Sequence, residues 1–284
     1  MNSKELFSFR RLSPALILFC LGLSYVAQIY YDGWLRYSDP KVNVSYNVLI
    51  EPQPLSSTIA KAVSFGATEL LADYYWLQFI QYYGGGDPAG QYRKMPELLN
   101  TVTDLSPKFL LAYQTGLLDL PAEGYVNEAI ALGEKGERNL PDRWEIPYYT
   151  GLVYHIYKKD FVNAAKQFDI AASLPGAPVS TQLFAGIYHN NADQRATAYA
   201  IFKNLYDTST DQYIKERASK YVGHLEGLFT LQDGVNKFQS QFGHLPKNLN
   251  ELVSGKIISE IPVSPLGATY SYDPATGTVS DAKK

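Results

Sequence analysis

Cysteine is all but absent. Cys20 is the single one in 284 residues, which excludes an intrachain disulfide framework and any zinc site built on thiolates. Histidine is nearly as scarce. The four, His155, His189, His224 and His244, stand apart in sequence, too few for a histidine-rich metal cluster. No His-Glu-x-x-His pair and no Gly-x-Ser-x-Gly turn is present, so the commonest hydrolase signatures are missing. A basic excess is missing too: 25 Lys and Arg face 28 Asp and Glu, for a formal net charge of -3. Phosphate binding needs a basic surface, so nucleic acid is not an expected partner. Neither a cofactor nor a metal is expected.

Charge is absent altogether from Leu12 to Tyr31. A run of about 20 residues at 1.5 Å each matches a hydrocarbon core of roughly 30 Å. Arg10 and Arg11 precede it, and Tyr25, Tyr30, Tyr31 and Trp34 cluster at its far end as an interfacial aromatic belt does. A cleaved leader needs small residues where Tyr25-Val26-Ala27 stands. A lipoprotein needs a small residue where Phe19 precedes Cys20, and the Gly-Phe processing site of a type IV pilin is missing. Residues 1–34 therefore read as a cytoplasmic tip and single-pass signal anchor. The positive-inside rule puts the N-terminus in the cytoplasm and the bulk in the periplasm or outside the cell. With Lys4, Glu5, Arg10 and Arg11 set aside, 22 basic residues face 27 acidic ones, a balance not built to lie along anionic lipid. Residues 35–54, with Pro40, Pro52, Pro54 and the β-branched stretch Val42 to Ile50, read as an extended spacer.

What is present in quantity is periodicity. Gly116, Gly151 and Gly186 are 35 residues apart, and Pro107, Pro141 and Pro175 are 34 apart. Ala129, Ala164 and Ala198 follow the glycines by 12 or 13 residues, and Phe168 with Ala171, then Phe202 with Leu205, continue two of the units. In Gly151, Tyr154, Ala164, Phe168, Ala171 and Pro175 the order of residues resembles the tetratricopeptide (TPR) repeat, and Gly186, Ala198 and Phe202 repeat part of it. A small residue lets two helices approach, an aromatic fills the gap to the next unit, and a proline ends the second helix. The resemblance implies an all-α fold, a TPR-like α-solenoid of about four helical hairpins over 55–241. Pro147 marks a helix start or a kink. Gly133 and Gly136 replace the repeat's aromatic and alanine, which predicts a short or loosely packed second helix in that unit.

Upstream, Ile59, Val63, Leu70, Tyr74 and Leu77 recur at helical spacing, predicting one long helix over Leu55 to Tyr83 with Met95 to Leu105 as partner. The glycine-rich Gly84 to Gly90 between them lacks a following Gly-Lys-Ser/Thr and reads as a connector. Downstream, Gln212 to Gln241 reads as one or two closing helices. Residues 242–284 change character. Asn248 caps a short helix over Leu249 to Val253, Tyr270-Ser271-Tyr272 alternates as a strand, and Asp273 to Gly277 turns back into Thr278 to Ser280. This small α+β module with a β-hairpin resembles the C-terminal segment of type II secretion pseudopilins. In that family the loop can hold calcium, but Ser264 stands where aspartate is usual. With Asp273 and Asp281 alone nearby, no calcium site is expected.

Tyrosine is in excess, 23 of 284 residues, and suits recognition surfaces. If the repeat register carries over, the inner face presents Tyr113, Leu117, Glu145, Tyr148, Leu152, His155, Leu183, Ile187, Asn190 and Asn191, with Tyr113, Tyr148 and His155 as anchors. Asp73, within an aromatic stretch, is the carboxylate most open to a perturbed pKa. The expected function is a non-enzymatic, membrane-anchored scaffold for protein partners of an envelope machine, pilin-like or secretion-platform proteins being the specific expectation. The alternatives are an envelope carbohydrate- or peptidoglycan-binding or processing protein, and a self-assembling structural subunit. A long apolar edge at one end of the array would point to the last of these.

Overall fold

The computed structural model describes residues 20–28, 30–31, 52–85 and 92–282. The chain divides into two compact units, Met1–Pro52 with Ile80–Tyr92, and Gln53–Phe79 with Arg93–Lys284. In the first, residues 20–28 and 30–31 are helical and exposed. Among the described residues no helix is long and apolar enough to cross a membrane. The expected span over 12–31 lies partly outside them, the expected spacer over 35–54 mostly so, and most of the Gly84 to Gly90 connector does as well.

The second unit is mostly helical with a small two-stranded antiparallel sheet. Its opening corrects the sequence reading. In place of one helix over Leu55 to Tyr83 there are two, α1 (Ser57–Val63) and α2 (Thr68–Gly84). They are parted by a turn in which Phe65 and Gly66 both take positive φ, 49° and 91°. Glycine reaches that region freely and commonly ends a helix, so Gly66 was the readable break. α3 (Met95–Leu105) takes its closest helix neighbours from α1 and from α4 (Leu110–Ala122) rather than from α2.

From α4 onward, consecutive helices pack on one another in a solenoid-like succession. α5 (Val126–Asn139) packs on α4, α7 (Phe161–Ser173) on α6 (Glu145–Val153), and α9 (Arg195–Thr208) on α8 (Val179–Asn191), with α10 (Gln212–Phe242) closing the series. Pro107, Pro141 and Pro175 fall in the loops before α4, α6 and α8. A proline there supplies no N–H and stops the preceding helix. The 35-residue glycines lie on α4, α6 and α8, each against a side chain of the next helix: Gly116 on Leu132, Gly151 on Phe168 and Gly186 on Phe202. The alanines Ala129, Ala164 and Ala198 are fully buried, so the helices approach closely where the sequence is small.

One further expectation changes. α5 is neither short nor loose: Gly133 meets Thr150 and Leu117, and Gly136 meets Tyr113 and Ile146. The missing side chains admit the flanking helices instead of leaving a gap. Pro147 sits in the first turn of α6, where its lost N–H costs nothing. That helix ends in a π turn over Tyr154–Lys158, closed by Lys159 at φ 55°.

α10 runs 31 residues, about 46 Å at 1.5 Å per residue. Asp211 caps its start by accepting from the Tyr213 and Ile214 N–H groups, and Gly243 at φ 78° ends it. The C-terminal segment then folds back along it. Asn248 Oδ1 accepts from Asn250 N–H at the start of α11 (Asn250–Ser254), and β1 (Tyr270–Asp273) pairs with β2 (Thr278–Asp281) in the register Tyr270 to Asp281 and Asp273 to Thr278. The hairpin was legible to within a residue. Leu252 and Val279 share one core with Leu225, Leu228, Leu231, Val235 and Phe238, so the segment is continuous with the helical core.

Candidate functional site

Three of the ten expected inner-face residues belong to the interior. Tyr113 is fully buried, and Leu117 and Leu183 nearly so. The Tyr113 hydroxyl donates to Pro107 O at 3.2 Å and accepts from Asn139 at 2.9 Å, and burial pushes its pKa up. Its expected role as a partner anchor is therefore corrected: it pins the loop before α4 to the end of α5. Glu145 is held by Arg143 through two nitrogens, at 2.6 and 3.2 Å. Burial works against its ionisation, but the Arg143 hydrogen bonds prevail and hold its carboxyl below the usual range.

Tyr148, Leu152 and His155 do come together, in an aromatic cluster built by α6, α7 and α8. The Tyr148 ring stands edge-on to Phe168 at 5.4 Å and to Phe184 at 5.9 Å, and Trp144 and Tyr149 flank it at 5.8 and 5.4 Å. Phe168 stacks on Tyr188 at 4.7 Å. Leu152, Tyr154 and Phe161 pack around this centre, all half-buried. His155, in the π turn, lies 4.7 Å from the Tyr188 ring and 5.7 Å from Phe161. Its Nδ1 is buried without a partner. Burial, helped by Lys159, lowers its pKa, so the ring stays neutral at physiological pH and offers a nitrogen that lacks a hydrogen bond. The repeat-defining Ala164 and Ala171 lie on the buried side of α7, and Ala198 and Phe202 on the buried side of α9.

Ile187 packs instead against the C-terminal core, and Asn190 reaches toward Asp281. Asn191 is exposed. Eight of the ten residues thus fall into an interior group, an aromatic face around Tyr148, and a junction with the C-terminal segment, while Glu145, held by Arg143, and the exposed Asn191 join none of them.

That junction holds what sequence reasoning missed. His224, 1% exposed, joins Ser264 through Nδ1 at 2.8 Å and Asp281 through Nε2 at 2.7 Å, and stacks on Tyr270 at 5.3 Å. Three types of side chain used in acyl transfer stand in line, but Ser264 is 6% exposed and its Oγ already accepts from Leu266 N–H. The hydroxyl has no face toward a substrate. The chain of hydrogen bonds acts as a clasp between α10 and the hairpin. Ser264, read as a missing carboxylate, is here the partner of His224. Asp281 is held below its usual pKa first by His224, with Arg195 and Asn190 assisting. Gln232 clasps the same hairpin, donating to Gly277 O at 3.0 Å and accepting from Val279 N–H at 2.9 Å. Gly223, Gly227 and Gly234, spaced by four and seven on α10, admit Pro265, Tyr270 and Leu252. Those three glycines, and a histidine between Tyr221 and Leu225, were the available signal.

His189 is likewise structural, bridging Asp169 at 2.8 Å and Gln194. Asp73 is exposed on α2 and lines no described cleft. Asp273 spends its carboxylate on Ala275 N–H at 2.9 Å and the Thr276 hydroxyl at 2.8 Å. Among the described residues no group of three or more His, Cys, Asp or Glu is placed to hold a metal ion. A cleft of about 380 Å³ opens beside α3 and α5, floored by Leu99, Leu120 and Leu132. Its rim carries Glu97 and Glu128, the former paired with Lys94 at 2.9 Å.

No protein-family model matches the chain, and no curated protein is significantly similar to it.

Proposed function

We propose that this chain is a non-enzymatic, membrane-anchored, TPR-like scaffold whose α-solenoid binds protein partners of a cell-envelope machine. The anchor is the uncharged run over 12–31, with the N-terminus cytoplasmic and the bulk periplasmic or extracellular. The machine is of the type IV pilus or type II secretion kind, a reading that rests on the pseudopilin-like pattern of residues 242–284.

The observation that carries the proposal is the aromatic face of Tyr148, Leu152 and His155, half-buried on α6 and its π turn beside Phe184. Aromatic side chains give large contact area at low entropy cost, and an orphaned imidazole nitrogen gains a partner when a donor arrives. Glycine–aromatic packing at a 35-residue repeat supports the solenoid reading, since stacked units of this kind present such a face repeatedly.

The test is in-cell crosslinking of the full chain with a photoreactive residue at position 148 and, separately, at 272, followed by mass spectrometry. Capture of pilin-like or secretion-platform proteins is expected. Self-crosslinks alone, or none, at both positions would remove the adaptor reading.

A further inference from the structure

The cleft beside α3 and α5 shares no residue with the Tyr148 face, and the partner-binding reading leaves it unused. Its volume of about 380 Å³ falls within the roughly 300–1,000 Å³ of small-molecule pockets. The described lining comes from α3, α4 and α5, with Leu99, Leu120 and Leu132 as floor and Pro96 and Ala131 as walls. Such a surface favours hydrocarbon and gives it nothing to hydrogen-bond. Pockets of this kind are mostly apolar, and a few placed polar groups fix which ligand enters and how it is oriented.

The polar groups at this cleft decide the charge of its ligand. Lys135 is the cation in the described lining, and an ammonium has three hydrogens to give. Asn100 O, Asn100 Oδ1 and Thr103 Oγ1 take them, and Asp104 at 2.5 Å meets the charge. Nothing is left over for an anion. Glu97 is paired with Lys94. Glu128, exposed in the first turn of α5, makes no ion pair or hydrogen bond among the described residues, and Lys158 close by in sequence to neither wall is engaged by Asn127 at 2.7 Å. Asp119 and Glu123 flank Leu120 on α4, and burial followed by repulsion from Glu123 pushes the Asp119 carboxyl up, so the local field is negative. A hydrocarbon alone leaves Glu128 unused, and a carboxylate is repelled by it. An ammonium gains a charge-assisted hydrogen bond there. We propose that the cleft binds a small amphiphilic ammonium compound, its hydrocarbon on Leu99, Leu120 and Leu132 and its cationic end at Glu128. The site rests on no part of the Tyr148 face.

The test uses the full chain with Cys20→Ser in phosphatidylcholine nanodiscs. An environment-sensitive fluorophore is placed on Ala131→Cys at the exposed cleft wall or, as reference, on Asp207→Cys on the exposed side of α9. The probes are n-hexylammonium, hexanol and hexanoate. A saturable response at position 131 alone is expected, with the ammonium binding at least about tenfold tighter than the alcohol and the carboxylate weakest. Glu128→Gln should bring ammonium and alcohol within about twofold of each other, with the alcohol's affinity and the circular dichroism spectrum unchanged. Equal affinities for the three probes, or an ammonium advantage that survives Glu128→Gln, would overturn the proposal. Equal responses at 131 and 207 would do the same, since the probe would then be acting through the bilayer. So would a photoreactive residue at 131 that captured a protein in intact cells, because a partner would then fill the cleft. Failure at position 148 would leave this result standing, and the reverse holds.

Discussion

Gly151 faces the ring of Phe168 so closely that a methyl group on its Cα would lie 2.9 Å from Cε2. Phe168 is fully buried, wedged among Tyr148, Phe184 and Tyr188. The ring has no room to yield. Gly151→Ala is therefore expected to lower stability by about 1–3 kcal/mol, although alanine alone would favour the helix by about 1 kcal/mol. Gly186→Ala, facing Phe202 at 2.7 Å, should behave alike. Gly116→Ala meets a Leu132 methyl that can rotate away, and should cost less. Urea midpoints of the three variants check that order.

His224→Ala deletes a buried ring and strands the Ser264 hydroxyl and the Asp281 carboxylate. A loss of about 2–4 kcal/mol is expected from the cavity and the broken hydrogen bonds together. Limited proteolysis should show earlier cleavage near the exposed Val263. The unvaried protein should take up no fluorophosphonate at Ser264. Labelling there would mean that the serine is a nucleophile after all.

Asp281 gives the clasp a defined acid limit. Its carboxyl is held below the ordinary value of 3.8, chiefly by the hydrogen bond from His224. A group depressed in this way adds stability above its unfolded pKa and loses it as pH falls through the folded value. The advantage of the native chain over Asp281→Asn should thus be constant above about pH 5 and shrink below about pH 4. Urea titrations across that range provide the measurement, and a gap that widened in acid would refute the assignment.

Lys135 ties α5 to α3. Its ammonium donates to Asn100 O at 3.0 Å, Asn100 Oδ1 at 2.8 Å and Thr103 Oγ1 at 2.8 Å, and pairs with Asp104 at 2.5 Å. Asp104 in turn accepts from Ser57 of α1. Burial raises the Asp104 pKa, yet the Lys135 and Ser57 hydrogen bonds outweigh it and the carboxyl sits low. Lys135→Met should cost about 1–3 kcal/mol. A cycle with Asp104→Asn should return a coupling of about 1 kcal/mol, whereas additive effects would show that the two side chains act independently.

The repeat was legible because its glycines and prolines do steric work that spacing alone reveals: Pro107, Pro141 and Pro175 end helices, and Gly151 and Gly186 make room for rings. The β-hairpin was legible because Asp273 and Gly277 encode its turn locally. The break at Phe65-Gly66 went unread despite its glycine, because apolar spacing runs on across it from Val63 to Leu70. Tyr113 was misplaced because inner-face register says which way a residue points, and says nothing about what the neighbouring loop brings to cover it. The His224 clasp joins residues 40 and 57 positions apart. No local pattern records a partner at that distance.

The long helix α10 has a consequence for how the chain must be made. Its inward residues Leu231, Val235 and Phe238 are covered by Leu252 and Val279, which lie between 14 and 48 residues downstream of them. At a translation rate of roughly 5–20 residues per second, Phe238 is synthesised about 2–8 seconds before Val279. For that interval an apolar ridge exists without its lid. Nascent chains stalled between residues 243 and 270 should be held by chaperones, and release should follow once the last strand emerges.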